Sequence, residues 1–268
     1  MDHQPHDGFT MPGYSSSTYG DRFADVYDDW YHNVSDVDAT VKAICALCPG
    51  GRLLELGVGT GRLALPLAEA GLEVEGIDTS AEMLKRLTAH DTAGLVRPHL
   101  GDMVTDCPAG PFDLILIAFN TIFNLPNRSQ QAALCKAVAQ RLGPAGRFIV
   151  EASVAPPLSQ SDTGGDVTDA QQISSAEQVR VRSMTVDQVV LSVTRHDPET
   201  GRAEGQFIEI SETHGVRLRP WSILPIPLEE LDQMALAAGM TLEQRWEDFS
   251  GLDFTEHSDR HVSIYRLS

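Results

Sequence analysis

Strand-like and helix-like segments alternate with short joints between residues 52 and 151, and that alternation predicts an α/β fold with a doubly wound, parallel sheet. Two further observations refine the prediction. A glycine-rich turn, Gly57-Val-Gly-Thr-Gly61, joins the first strand to its helix. After residue 177 the pattern changes to consecutive runs of alternating character, which predicts an antiparallel β meander inserted late in the α/β order.

Residues 1–18 are rich in Gly, Ser, His and Pro without periodicity and read as a flexible tail. From Asp21, the residues Phe23, Val26, Tyr27, Trp30 and Tyr31 recur at spacings of three and four, one face of a helix. A second helix is expected over 36–47, stopped by Pro49-Gly50-Gly51. Arg52–Leu56 reads as a buried strand, 60–70 as a helix closed by Gly71, Glu73–Ile77 as a strand and 80–89 as a helix. Phe112–Ala118 is almost continuously apolar, as a strand covered on both faces should be. An amphipathic helix over 129–142 ends at Gly143-Pro144, and Arg147–Glu151 is a further strand.

Residues 158–176 are polar and predict a flexible crossing loop. The meander strands are expected at 179–186, 189–195 and 203–212, the last two joined by the tight turn Asp197-Pro-Glu-Thr-Gly201. A helix follows with Pro227 in its first turn and Gly239 just past its end, then strands at about 240–249 and 261–267.

The chain has 268 residues, 42% of them hydrophobic, enough for a sizeable core. Lys and Arg number 20 against 38 Asp and Glu, a net charge of −18. Polyanionic partners are thereby disfavoured: no nucleic acid and no anionic membrane surface is expected. The expected ligand is small and cationic, or carries a local positive charge. No run of 18 apolar residues and no secretory signal is seen. Cys45 and Cys48 end an apolar helical stretch with no second ligand pair near, so they read as structural thiols of a cytoplasmic protein, and no metal site is expected.

The chemistry lies in Glu55-Leu-Gly57-Val-Gly59-Thr-Gly61. Glycines here let the backbone turn sharply and let a ligand approach the main chain. Arg62 stands where a dinucleotide fingerprint wants its third glycine, and Gly-Lys-Ser/Thr is missing. Asp78 ends the second strand, where a carboxylate can accept hydrogen bonds from both ribose hydroxyls. With ELGVGTGRL, GIDTSAEML, GDM at 101–103 and FDLILIAFNTIFNL, the chain resembles the class I S-adenosylmethionine-dependent methyltransferases. Among these it is similar to the small-molecule amino-sugar and glycine-type N-methyltransferases of secondary metabolism.

The resemblance implies a Rossmann-like, seven-stranded sheet whose last strand is antiparallel, with the donor S-adenosylmethionine lying across the carboxyl ends of the first strands. It makes 19–157 and 222–268 the donor-binding domain and 158–221 an insertion that forms a lid or a dimer contact. Gly57, Gly59 and Gly61, with Glu55, would line the methionine end of the donor, and Arg62 would pair with its carboxylate or sit on the helix surface. Asp78 would hold the ribose with Thr79, Ser80 and Met83 nearby. Asp102 would accept from the adenine amino group with Met103 against the ring, and Phe119 and Asn120 would sit beside the methionyl part by backbone contact. Tyr19, Phe23 and Tyr27 would close over the sulfonium, a desolvated cation suited to π faces.

Methyl transfer from a sulfonium needs alignment and exclusion of water more than it needs a metal. The acceptor-side candidates are Tyr31, His214 and Glu151 for catalysis, with Trp30, Asn124, Arg219 and Trp221 for binding. The expected acceptor is a small metabolite, methylated on nitrogen or carbon, with an indole-type carbon or an oxygen as alternatives. A non-catalytic donor-binding sensor is the competing class, and a homodimer is a further expectation.

Overall fold

The computed structural model describes residues 11–32, 34–155 and 177–268. Residues 1–10 of the expected tail and the expected loop over 158–176 lie outside them. The main sheet is assembled from β1 (Arg52–Leu56), β2 (Glu73–Asp78), β3 (Val96–Leu100), β4 (Phe112–Ile117), β5 (Leu142–Ser153), β10 (Met240–Trp246) and β11 (Arg260–Leu267), in the order β10-β11-β5-β4-β1-β2-β3. Every pairing from β3 through to β5 is parallel. The closing strand, β11, runs against both its neighbours. A second, antiparallel sheet holds β6 (Gln178–Met184), β7 (Gln188–His196), β8 (Ala203–Ser211) and β9 (Gly215–Ile223) in that order.

Two apolar layers sandwich the main sheet, as a doubly wound fold requires. Leu54, Ile115, Ile117, Phe148 and Tyr265 belong to one, and Leu53, Leu114, Leu116, Ile149 and Ile264 to the other. Alternate residues of the same strands serve opposite layers, because side chains in a strand alternate faces. Helices α3 (Val37–Leu47), α5 (Ala81–His90) and α6 (Arg128–Ala139) start where Asp36, Ser80 and Asn127 accept an N–H of the first turn. α4 (Ala64–Glu69) follows the glycine turn, and α7 (Leu228–Ala237) begins directly after Pro227.

The structure differs from the sequence reading at several elements. The expected single helix from Asp21 to Tyr31 is two, α1 (Thr18–Phe23) and α2 (Tyr27–Trp30). In the break between them, Asp25 is drawn to Arg217 at 2.7 Å and to Arg219 at 2.5 Å. β3 has no counterpart in the sequence reading, and it carries Pro98, a residue that central strands avoid. It is an edge strand, where a missing ladder N–H does no harm. The sixth helix stops at Ala139, not Gly143-Pro144, because β5 pairs Leu142 with Phe112 before its register jumps to Arg147. The meander has a fourth strand, β9, past the three expected.

A third apolar cluster joins the N-terminal helices to the meander. Phe23, Ala24, Met83, Val190 and Phe207 are its buried members, with Tyr19, Tyr27, Trp30, Tyr31 and Trp221 packed around them.

Candidate active site

β1 delivers Glu55 to the carboxyl end of the sheet, and the chain then turns through Gly57, Gly59 and Gly61, all in left-handed backbone. At Gly59 an added Cβ would enter open space, and the Gly59 N–H donates to the Asp78 carboxylate at 2.9 Å. The other Asp78 oxygen accepts from Ser80 N–H at 2.8 Å. Burial raises the Asp78 pKa, and these two N–H groups oppose the shift. A pocket opens above the turn, walled by Tyr27, Glu55, Gly57, Val58, Gly59, Thr60, Arg62, Ala118, Phe119 and Thr121. Glu55 is buried in it, and one of its carboxyl oxygens has no hydrogen-bond partner. Burial pushes that carboxyl up to about 8; the Arg62 guanidinium opposes the shift and the Asp78 charge adds to it.

The N-terminal segment is fastened across this end of the sheet at four points. Thr79 donates to the Ser16 carbonyl at 3.0 Å, Ser80 to Asp21 at 2.7 Å, Thr60 to Asp28 at 2.6 Å and Arg62 to Ser35 at 2.5 Å. The segment brings aromatic rings with it. Tyr19 stacks on Phe23 with centroids 4.3 Å apart, Tyr27 lies 4.9 Å from Tyr31, and Tyr31 meets Phe119 edge to face at 6.0 Å. The tyrosine hydroxyls of Tyr19 and Tyr27 are pushed well above their ordinary range by burial, so the rings act as neutral surfaces.

Of the residues singled out from the sequence, Glu55, Gly57, Gly59, Arg62, Phe119 and Tyr27 share the pocket wall, while Asp78 and Ser80 stand beside the turn. Gly61 packs against Leu65 and Leu87 behind it. Phe23 and Met83 are core members of the aromatic cluster and are not in the pocket wall. Asp102 lies just past β3 on the same edge of the sheet as Asp78, since Gly101 N–H donates to the Asp78 carbonyl at 3.0 Å. One Asp102 oxygen accepts from Val104 and Thr105 N–H, and Met103 packs against the core. Asn120 clasps Ser153, and Asn124 ends a short 3-10 helix, Thr121–Asn124. Trp30 meets Phe207 edge to face at 5.6 Å.

Three acceptor-side candidates are not brought to the pocket wall. His214 sits in the exposed β8–β9 turn, its ring hydrogen-bonded to Thr213, and is not brought to the pocket. Arg219 is buried and spends its donors on Glu209, Asp25 and the Arg22 carbonyl, bolting the meander to α1. The Glu151 carboxylate accepts from Phe119 N–H at 3.0 Å and is absent from the pocket wall. Trp221 packs against Phe207 over Gly205, with a buried indole N–H that has no partner. Sequence reasoning missed Thr121, whose methyl fills the space a Cβ at Gly57 would need, and the Asp28–Thr60 and Ser35–Arg62 fastenings. No local motif marks those pairs, because each joins segments about thirty residues apart.

A sequence profile described as a methyltransferase domain matches residues 53–146. YqeM of Bacillus subtilis (strain 168), which carries a methyltransferase assignment, is 30% identical over 248 residues, 89% of this chain and 93% of that one. The CcbJ methyltransferase from Streptomyces caelestis superposes with a TM-score of 0.82 at 33% identity, over 95% of this chain and 100% of that one. The sugar N-methyltransferase KedS8 from Streptoalloteichus sp ATCC 53650 superposes with a TM-score of 0.65 at 21% identity, over 96% and 99% of the two chains, and shows the shared fold. Likeness running the whole length of two chains at a third identity reflects common descent, and the molecule is an S-adenosylmethionine-dependent methyltransferase. The chain belongs to the methyltransferase family of YqeM and CcbJ, and it is an enzyme whose methyl donor is S-adenosylmethionine.

The residues present fit that donor. The unpartnered Glu55 oxygen lies in the pocket wall where a cationic ammonium would satisfy it, and Gly59 leaves the main chain open to a ligand. Asp78 stands next to that turn at the end of β2, with lone pairs beyond the two its N–H partners use. No helix among the described residues is long and apolar enough to cross a membrane.

Proposed function

We propose that this enzyme methylates a nitrogen of a small-molecule metabolite, an amino sugar or a comparable amine. When bound, the donor supplies a methyl group carried on a sulfonium. The protein's part is to hold and orient: Glu55 pairs with the donor ammonium, Arg62 with its carboxylate, and Asp78 accepts from the ribose hydroxyls. Asp102 accepts from the adenine amino group, with Met103 beneath the ring. Tyr27, Tyr31 and Phe119 present ring surface to the sulfonium end and exclude water, which strengthens every charge interaction inside.

One observation favours nitrogen over oxygen. Among the described residues the pocket wall carries no imidazole, and its one carboxyl group, Glu55, is committed to the donor in this reading. A neutral amine offers its lone pair without prior removal of a proton, whereas an alcohol or phenol calls for a base at the moment of attack. KedS8 is a sugar N-methyltransferase and CalS10 an amino pentose methyltransferase, which supports the same class of acceptor. Incubation with labelled S-adenosylmethionine and parallel panels of amino sugars, amino acid derivatives, indoles and phenols tests the reading. N-methylated product from the amines is expected; turnover confined to the indoles or phenols would overturn it.

The proposal extends to assembly. The outer face of the meander carries Val179, Val181 and Met184 on β6, Val189, Leu191 and Val193 on β7, Ile208 and Ile210 on β8, and Val216 and Leu218 on β9, an aliphatic surface by register that ends at Gln206 beside Val193. Val181, Met184 and Val216 are 61%, 75% and 64% exposed. A patch of that kind suits an isologous contact with a second copy, the residues 158–221 insertion serving as a dimer contact as well as a roof.

A further inference from the structure

Phe119 and Asn120 follow β4 in left-handed backbone, with φ of 47° and 63°, and are the two non-glycine residues with positive φ among those described. Such a conformation persists only where the surroundings impose it, and it gathers at functional sites. Here the end of β5 imposes it. The Phe119 N–H donates to the Glu151 carboxylate at 3.0 Å and the Asn120 N–H to the Glu151 carbonyl at 3.2 Å. Two residues on, Ser153 N–H donates to the Asn120 side-chain oxygen at 2.7 Å, and the Asn120 amide donates back to the Ser153 hydroxyl at 3.2 Å. A buried carboxylate is costly in a strand that packs against the core, so its retention calls for a task that an aliphatic side chain cannot perform.

That task is legible in what the turn carries. Phe119 walls the donor pocket and Glu151 does not. The Phe119 ring stands between Tyr31, at 6.0 Å, and the Arg62 guanidinium, at 5.8 Å. We propose that Glu151 is a positioning residue for the donor pocket: by accepting the Phe119 N–H, its carboxylate holds the strained turn that sets the Phe119 ring. It acts on the donor through Phe119 and takes no proton from the acceptor. The inference rests on the donor assignment above.

Calorimetry with S-adenosylhomocysteine tests it without knowledge of the acceptor, alongside thermal unfolding of each variant. E151Q keeps an acceptor oxygen for the Phe119 N–H and is expected to bind within threefold of the wild-type protein. E151A frees the turn, leaves the Phe119 N–H without its acceptor and is expected to bind at least tenfold more weakly. The deciding result is the double variant. E151A/F119A should bind several-fold more tightly than the product of the two single losses predicts, because both changes act on the same turn and ring. Should E151A fail to fold, E151D, with its carboxylate withdrawn by one methylene, is held to the same pattern alone and with F119A. Additive losses, wild-type affinity in E151A, or a tenfold loss in a folded E151Q would each overturn the proposal. Failure of the wild-type protein to bind would overturn the donor reading itself, and with it this inference.

Discussion

Replacing Glu55 with glutamine removes the one pocket carboxyl whose acidity is most displaced, and the consequence can be worked through. Burial raises the group from an ordinary 4.5 to about 8. A carboxyl whose folded value lies above its unfolded value favours the fold in its protonated form. The stability it contributes is therefore complete below about pH 4.5 and is lost as pH rises towards 8. At pH 7 the ligand-free fold carries a penalty of about 3 kcal/mol from this group, and at pH 5 about 1 kcal/mol. E55Q should accordingly raise the melting temperature of the ligand-free enzyme by roughly 6–12 °C at pH 7 and by far less at pH 5. The same residue should make donor binding depend on pH with the opposite advantage. A donor ammonium needs the ionised carboxylate, so binding releases about one proton and affinity climbs about tenfold per unit from pH 6 to 8. Thermal scans at three pH values and calorimetry in buffers of different ionisation enthalpy measure both effects. A wild-type affinity that is flat between pH 6 and 8, or an E55Q enzyme with unaltered stability at pH 7, would refute the reasoning.

The remaining predictions are simpler. Asp78→Ala should abolish binding of S-adenosylmethionine in calorimetry while the fold persists; wild-type affinity would contradict the ribose role. Arg219→Met should lower stability by about 3–5 kcal/mol in denaturant unfolding, since Glu209 would be left buried without its cation. His214→Ala should alter stability by no more than about 0.5 kcal/mol and leave turnover unchanged, as its turn is exposed and away from the pocket wall. The paired change V181D/L218D should convert a dimer to a monomer in sedimentation; a wild-type enzyme that is already monomeric at micromolar concentration would remove the basis for that interface.

What the sequence disclosed and what it withheld follow from the range of the interactions involved. β4 was readable because Phe112–Ile117 is buried on both faces at all but Asp113, which makes it almost continuously apolar. The glycine turn and Asp78 were readable because they are local consequences of one strand-turn-helix unit. β3 carries Pro98, whose tolerance in a strand depends on an edge position that only the assembled sheet confers. The break after α1 was invisible to periodicity, since Phe23, Tyr27 and Trp30 keep helical spacing across it while Asp25 answers to arginines about 190 residues away. His214 and Arg219 stand away from the pocket wall for a related reason: residue type advertises chemistry, but a hairpin turn and an ion-pair network decided where those side chains went.

The four fastenings of the N-terminal segment also have a consequence for how the enzyme comes into being. Ser16, Asp21, Asp28 and Ser35 are all synthesised before the residues they hold, Thr60, Arg62, Thr79 and Ser80. During translation the cover of the site therefore exists before the site does, and it cannot be installed until β1 and β2 have emerged and paired. A nascent chain arrested after β2 would carry the aromatic residues with no sheet edge fully formed to receive them. Closing the cover is then a folding-back of the first-made segment onto residues synthesised after it.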